Sequence, residues 1–178
     1  MKVNIGRIKG EPGARMSVQR REDVGPLGEA NPTGPVEIRA DLVNTGPTLA
    51  LSGTAKVPVT LRCARCLDEL SLCLEAQLED QYREAPGPPE EEELRRALEE
   101  EGVILYHGDE IDLRGPVRES LLLAIPMQPL CRPECRGICP ACGTDLNRQP
   151  CECAAEAVDP RFEALRQLNV KNERPEER

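Results

Sequence analysis

The run from Cys131 to Cys153, CRPECRGICPACGTDLNRQPCEC, carries six of the chain's nine cysteines. Between positions 127 and 157 the larger apolar residues are only Met127, Leu130, Ile138 and Leu146. A stretch of that composition cannot order itself by burying apolar surface, so something else must fold it. Cys139-Pro140-Ala141-Cys142-Gly143 has the form of a metal knuckle. Two thiolates with two residues between them grip one ion, and the glycine lets the backbone turn beneath the sulfurs. Closing a tetrahedron takes a second pair. Cys131 with Cys135 and Cys151 with Cys153 both qualify, and spacing alone does not choose between them. A four-thiolate structural zinc site is the leading reading. A redox dithiol at Cys139 and Cys142 is the competing one, and rubredoxin-like iron a third, because soft thiolates accept either metal.

A metal staple suits the rest of the chain. Only 2% of the 178 residues are aromatic, with one Phe and no Trp, so any core must be aliphatic and modest. The opening MKVNIGRIKG lacks the apolar run of a signal peptide, and no stretch reaches the roughly 20 apolar residues of a membrane helix. The expectation is a cytoplasmic protein, where reduced thiols read as metal ligands rather than disulfides.

Along the chain, residues 2–8 and 14–20 read as short strands joined by the turn Gly10–Gly13, and 22–35, rich in Gly and Pro, as a loop. Val36, Ile38, Ala40 and Leu42 alternate with charged residues, as a half-buried strand does. Leu49, Leu51, Gly53, Ala55, Val57, Val59 and Leu61 fall on one face of a long strand. Leu70, Leu72, Leu74, Ala76 and Leu78 answer them, which predicts a long antiparallel hairpin with one apolar face. Pro58, on the opposite face, suggests an edge or a bulge. The hairpin tip is Cys63-Ala64-Arg65-Cys66, a second knuckle-like pair and a less certain metal site. Cys73 reads as a bystander on the polar face.

Residues 85–89 break the strand, and Glu90–Glu101 reads as an acidic helix anchored by Leu94 and Leu98. Val103–Tyr106 reads as a strand, with His107 in the loop after it. Asp112 caps a predicted helix over 113–125, and Pro126 stops it. Asp159-Pro160 with Phe162, Leu165 and Leu168 suggests a short final helix. The expected class is α+β: a mainly antiparallel β-sheet or partial barrel with a few helices and a cysteine-rich, zinc-binding appendage. The expected division is 1–126 for the sheet domain with its acidic insertion at 84–101, 127–157 for the metal module, and 158–178 for the helix and polar tail.

The net charge of −9 is concentrated. Residues 79–101 hold ten acids and three bases. The remainder is nearly neutral and does not repel nucleic acid as a uniformly acidic protein would. Aromatics are too few for a base-stacking platform. Arg62, Arg65, Arg132 and Arg136 offer candidate contacts to a partner or to RNA phosphates, while the acidic segment suits a cationic protein. No nucleophile elbow, zincin motif or phosphate loop is present, and no catalytic residue or small-molecule substrate is expected.

The order of these features carries a resemblance. Cys63-x-x-Cys66-Leu67 is followed by Glu110-Ile111-Asp112-Leu113 and by Arg118-Glu119-x-Leu121-Leu122-Leu123-Ala124-Ile125-Pro126-Met127. Pro129-Leu130-Cys131 comes next, then Cys135-x-Gly137-Ile138-Cys139-Pro140-x-Cys142-Gly143-x-Asp145-Leu146-Asn147, Cys151-x-Cys153 and Asp159-Pro160-Arg161-Phe162. The pattern resembles the YceD family, the large-subunit ribosomal RNA accumulation proteins of bacteria and plastids. The resemblance covers residues 36–168 and is most specific from Asp112 to Cys153. It implies a non-enzymatic role in 23S ribosomal RNA accumulation and large-subunit biogenesis, and an assembly factor of that kind is expected to bind a ribosomal protein or a ribosomal RNA precursor.

Overall fold

The computed structural model describes residues 1–153. Its centre is the long hairpin. Strand β5 (Leu49–Arg62) pairs antiparallel with β6 (Glu69–Glu84) in unbroken register from Leu49↔Tyr82 to Arg62↔Glu69. The two-residue apolar period forces this, because every second side chain must reach the same face. Val57, Val59, Leu61, Leu74 and Leu78 are buried, whereas Ser71, Cys73 and Glu75 are exposed.

On one side β5 pairs with β4 (Val36–Asn44), which pairs with β2 (Arg15–Glu22), both antiparallel. On the far side β7 (Ile104–Tyr106) runs parallel to the last three residues of β6. The short β3 (Asn31–Pro32) pairs with β5 beyond the end of β4. The sheet is therefore mixed but mostly antiparallel, open rather than closed into a barrel. Pro58 causes no bulge. β4 reaches only Lys56 and β3 begins at Val59, so the proline falls in the gap, and its carbonyl accepts the Thr33 N–H at 2.9 Å.

The first residues depart from expectation. β1 (Lys2–Asn4) does not form a hairpin with β2; it pairs with β8 (Glu110–Asp112), more than a hundred residues away. Between β1 and β2 lies a one-turn helix, α1 (Gly6–Lys9), where a strand was expected. Helix α3 (Arg114–Leu123) follows β8, with Asp112 accepting the Arg114 N–H at 2.9 Å. Its Val117 and Leu121 bury against the inner face of the sheet together with Ile5, Leu27, Ile111 and Leu113. The acidic helix α2 (Glu91–Glu101) forms, capped by Glu90 and Glu93, but its expected anchors are wrong. Leu94 and Leu98 are 38% and 47% exposed, and the buried residue is Ala97. A helix beside a sheet edge needs only one small residue at the contact. The expected helix at 158–178 lies outside the described residues.

Candidate metal centres

The turn after β5 holds Cys63 and Cys66, with Leu67 in left-handed backbone at φ 63°. The Leu67 N–H closes the turn on the Cys63 carbonyl at 3.0 Å, and both thiols face inward. The chain leaving α3 comes back to this tip. Pro129 accepts the Ala64 N–H at 2.8 Å, and Arg65 accepts the Ile138 N–H at 3.2 Å. Gly137, at φ 76°, lies so close to the tip that a Cβ there would stand 3.0 Å from the Arg65 carbonyl oxygen. Both the backbone sign and the space require glycine.

This docking brings Cys131 and Cys135 onto Cys63 and Cys66. Cys63 Sγ lies 3.8 Å from Cys135 Sγ, and Cys66 Sγ 3.6 Å from Cys131 Sγ. All four sulfurs lie within 4.8 Å of one another. A tetrahedron with metal–sulfur bonds of about 2.3 Å has sulfur–sulfur edges of about 3.8 Å, so the donor set fits a thiolate-bound ion. Asn147 donates from Nδ2 to Cys135 Sγ at 3.4 Å and is itself held by Asp145 Oδ1 at 2.7 Å. Such an outer donor fixes a ligand's orientation.

The second group is built within the module. Cys139, Cys142, Cys151 and Cys153 again place their sulfurs within 4.8 Å of one another. The knuckle is closed by Cys139 N–H to Thr144 O and Gly143 N–H to Cys139 O, each at 2.8 Å, with Gly143 at φ 72°. Cys142 Sγ is 3.1 Å from the Thr144 hydroxyl. The downstream pair thus completes the knuckle, and the upstream pair serves the hairpin tip. Eight of the nine cysteines fall into two groups that could each hold a metal ion. Cys73 stands apart, exposed on the outer face.

The electrostatics of each group point the same way. In the first, backbone N–H groups of Cys66 and Cys131 bring the Cys63 thiol down to about 6. At Cys66 the Asp68 backbone N–H pulls downward, but burial and the neighbouring thiols outweigh it and raise Cys66 to about 12. In the second, the Thr144 hydroxyl brings Cys142 down to about 6, while Cys142 and burial push Cys153 up to about 12. Four clustered sulfurs cannot all ionise against one another, so one gives up its proton at the expense of the next. A bound dication removes that conflict.

The expected contact arginines sit beside this assembly. Arg62, Arg132 and Arg136 are exposed. Arg65 is spent internally, donating from Nη1 to the Cys135 carbonyl at 2.8 Å. Among the described residues His107 has one hydrogen-bond neighbour, the Ala85 carbonyl at 3.5 Å, and belongs to neither cysteine group. Sequence reasoning left the partner of each cysteine pair open, because the contact of 63–66 with 129–138 spans some 70 residues and has no local signature.

Residues 51–169 match the family model described as large ribosomal RNA subunit accumulation protein YceD. A Mycobacterium tuberculosis protein named only as uncharacterised is 30% identical over 130 residues, covering 73% of this chain and 59% of that protein. The chloroplastic YCED homolog 1 of Arabidopsis thaliana, named as a large ribosomal RNA subunit accumulation protein, is 23% identical over 163 residues, covering 80% of this chain and 51% of its own. The Zea mays counterpart is 28% identical over 153 residues, covering 72% and 52%. The chain spans about half to three-fifths of the length of these relatives. No solved structure matches.

Proposed function

The chain belongs to the YceD family, and from that premise we propose that it is a non-enzymatic factor supporting 23S ribosomal RNA accumulation and large ribosomal subunit biogenesis in the cytoplasm. The observation that carries the mechanism is the pair of four-cysteine groups. Each holds a structural zinc ion: Cys63, Cys66, Cys131 and Cys135 one, Cys139, Cys142, Cys151 and Cys153 the other. The first zinc ties the module at 127–157 to the hairpin tip, and the second folds the module itself. Neither leaves a coordination position open, as a catalytic zinc does. A factor of this kind presents a rigid surface to a ribosomal protein or a ribosomal RNA precursor. Arg62, Arg132 and Arg136 are the phosphate contacts on it, because their backbone is fixed by the metal-held assembly.

Redox chemistry at Cys139 and Cys142 is the weaker reading. Cys139 is buried, and the pair stands among four mutually close sulfurs rather than open to a disulfide partner.

Complementation tests the function. In cells lacking the chain, the wild-type protein should restore mature 23S ribosomal RNA, and Arg62, Arg132 and Arg136 changed together to Gln should restore it only partly. A full-length, folded wild-type protein that leaves 23S levels at those of the deletion would refute the role.

A further inference from the structure

Among the described residues the long hairpin is finished on one side only. β5 is paired along both edges, but β6 meets β7 only through Tyr82, Arg83 and Glu84. Beyond them, from Ser71 to Glu79, no backbone hydrogen bond leaves β6 toward any described residue other than those of β5. The Ala85 N–H, which reaches the Tyr106 carbonyl at 2.8 Å, shows which parity of residue faces this side. The register is unbroken, so the N–H and C=O groups of Ser71, Cys73, Glu75, Gln77 and Glu79 all point to the open edge. All five residues are exposed. The edge runs about 30 Å at roughly 3.4 Å per residue.

The charge along it has one sign. Glu69, Glu75 and Glu79 stand on the outer face, and Asp80 on the inner face beside Glu119 of α3. Glu75 has Lys56 at 2.9 Å. Among the described residues no ion pair includes Glu69, Glu79, Asp80 or Glu119. Burial and the Glu119 carboxylate push the Asp80 carboxyl above its ordinary range, the mark of an acid without a cation. Leu70 and Leu72, half-buried on the inner face, would meet every second side chain of an added strand.

We propose that the open edge of β6, Ser71–Glu79, receives an extended segment of another protein in which basic residues alternate with apolar ones. Main-chain hydrogen bonds supply the pairing, as in other strand additions, and the acids select the charge. A nucleic acid is repelled by the same acids. A second copy of this chain pairing antiparallel about Glu75, Gln77 or Glu79, the registers that use the length of the edge, would set Glu75 or Glu79 opposite itself or the two opposite each other, and like charges directly across a pair are unfavourable. The proposal deepens the reading of the chain as an assembly factor by naming the chemistry of a partner.

A fluorescein-labelled 12-residue peptide of alternating Lys and Val, titrated with the full chain, tests it without any ribosomal readout. Its failure is therefore distinct from failure in complementation. Three results are expected. The peptide binds, and slows amide exchange at Ser71–Glu79. N-methylation of every second residue, which keeps the charge but blocks the edge, weakens binding at least tenfold. Gln77→Pro, which removes one outward N–H and leaves the β5 ladder whole, weakens it similarly without unfolding the protein. If Gln77→Pro does not fold, the N-methylated peptide on the wild-type chain decides alone. Equal binding of the N-methylated peptide, equal binding of a Glu/Val peptide, or none by the Lys/Val peptide would overturn the proposal. Concentration-dependent protection of Ser71–Glu79 with no peptide present would replace it with self-pairing.

Discussion

Gly53 shows how tightly this sheet is closed at its middle. It faces Ala40 across β4 and β5, and a Cβ built on it would stand 2.3 Å from the Arg39 carbonyl oxygen and 2.5 Å from the Ala40 Cα. Those are backbone atoms that cannot swing aside. Gly53→Ala should therefore destabilise by about 3 kcal/mol or more, above the usual gain of replacing a strand glycine. An unchanged midpoint in denaturant unfolding would contradict so close an approach. Asp80 gives a test with a sign. Its native carboxyl binds a proton more tightly than the unfolded chain does, so its contribution is most favourable at low pH. Stability from this group then falls as pH rises from the ordinary aspartate range through the raised native value. At neutral pH Asp80→Asn should raise the melting temperature and flatten that part of the pH profile. A lower melting temperature at neutral pH would mean Asp80 has a cation partner in the folded chain.

At the scale of elements, the hairpin divides its substitutions by face. Leu61 and Leu74 are buried, and truncation to Ala should cost about 2–5 kcal/mol each. Thr60 and Ser71, on the opposite face, should tolerate Ala within about half a kcal/mol. Equal sensitivity on both faces in a melting series would mean that something covers the outer face. These strands were legible in the sequence because period-two alternation over β4, β5 and β6 is a local signal. So were α2 and α3, although the N-cap position of α3 is Leu113, with Asp112 one residue before it accepting the Arg114 N–H. The β1–β8 pair was not legible, since three-residue strands carry almost no period and their partner is distant in sequence. Residues 6–8 were read as the end of a strand for the same reason. A single turn of helix has no pattern of its own and exists here because Asn44 reaches across to accommodate it. The buried Asn44 side chain donates to the Ile8 and Lys9 carbonyls at 2.7 and 2.9 Å, satisfying the end of α1.

For the molecule as a whole, the two cysteine groups do different work. Cys139, Cys142, Cys151 and Cys153 come from one 15-residue stretch, so the Cys139–Cys142 knuckle was readable from spacing, but which second pair joins it was not. Neither was the group at the hairpin tip. Its halves are too far apart in the chain for spacing to join them; the close passage of Gly137 over Arg65 and the bonds of Ala64 to Pro129, Ile138 to Arg65 and Arg65 to Cys135 bring them together. That group is what makes a sheet and a cysteine module into one surface, so its loss should have a longer reach. Cys135→Ser should free the segment from Leu130 to Cys153 from the hairpin and open it to protease while the sheet still unfolds cooperatively. Cys142→Ser should loosen only the knuckle. The measurement that bears most directly on this account is metal content per chain, determined by mass spectrometry on protein purified without added metal. Two zinc ions are expected for the wild type and one for each of Cys135→Ser and Cys142→Ser, with only the first variant exposing the whole segment to protease. Iron with visible colour, a single metal in the wild type, or full zinc retained by either variant would contradict it.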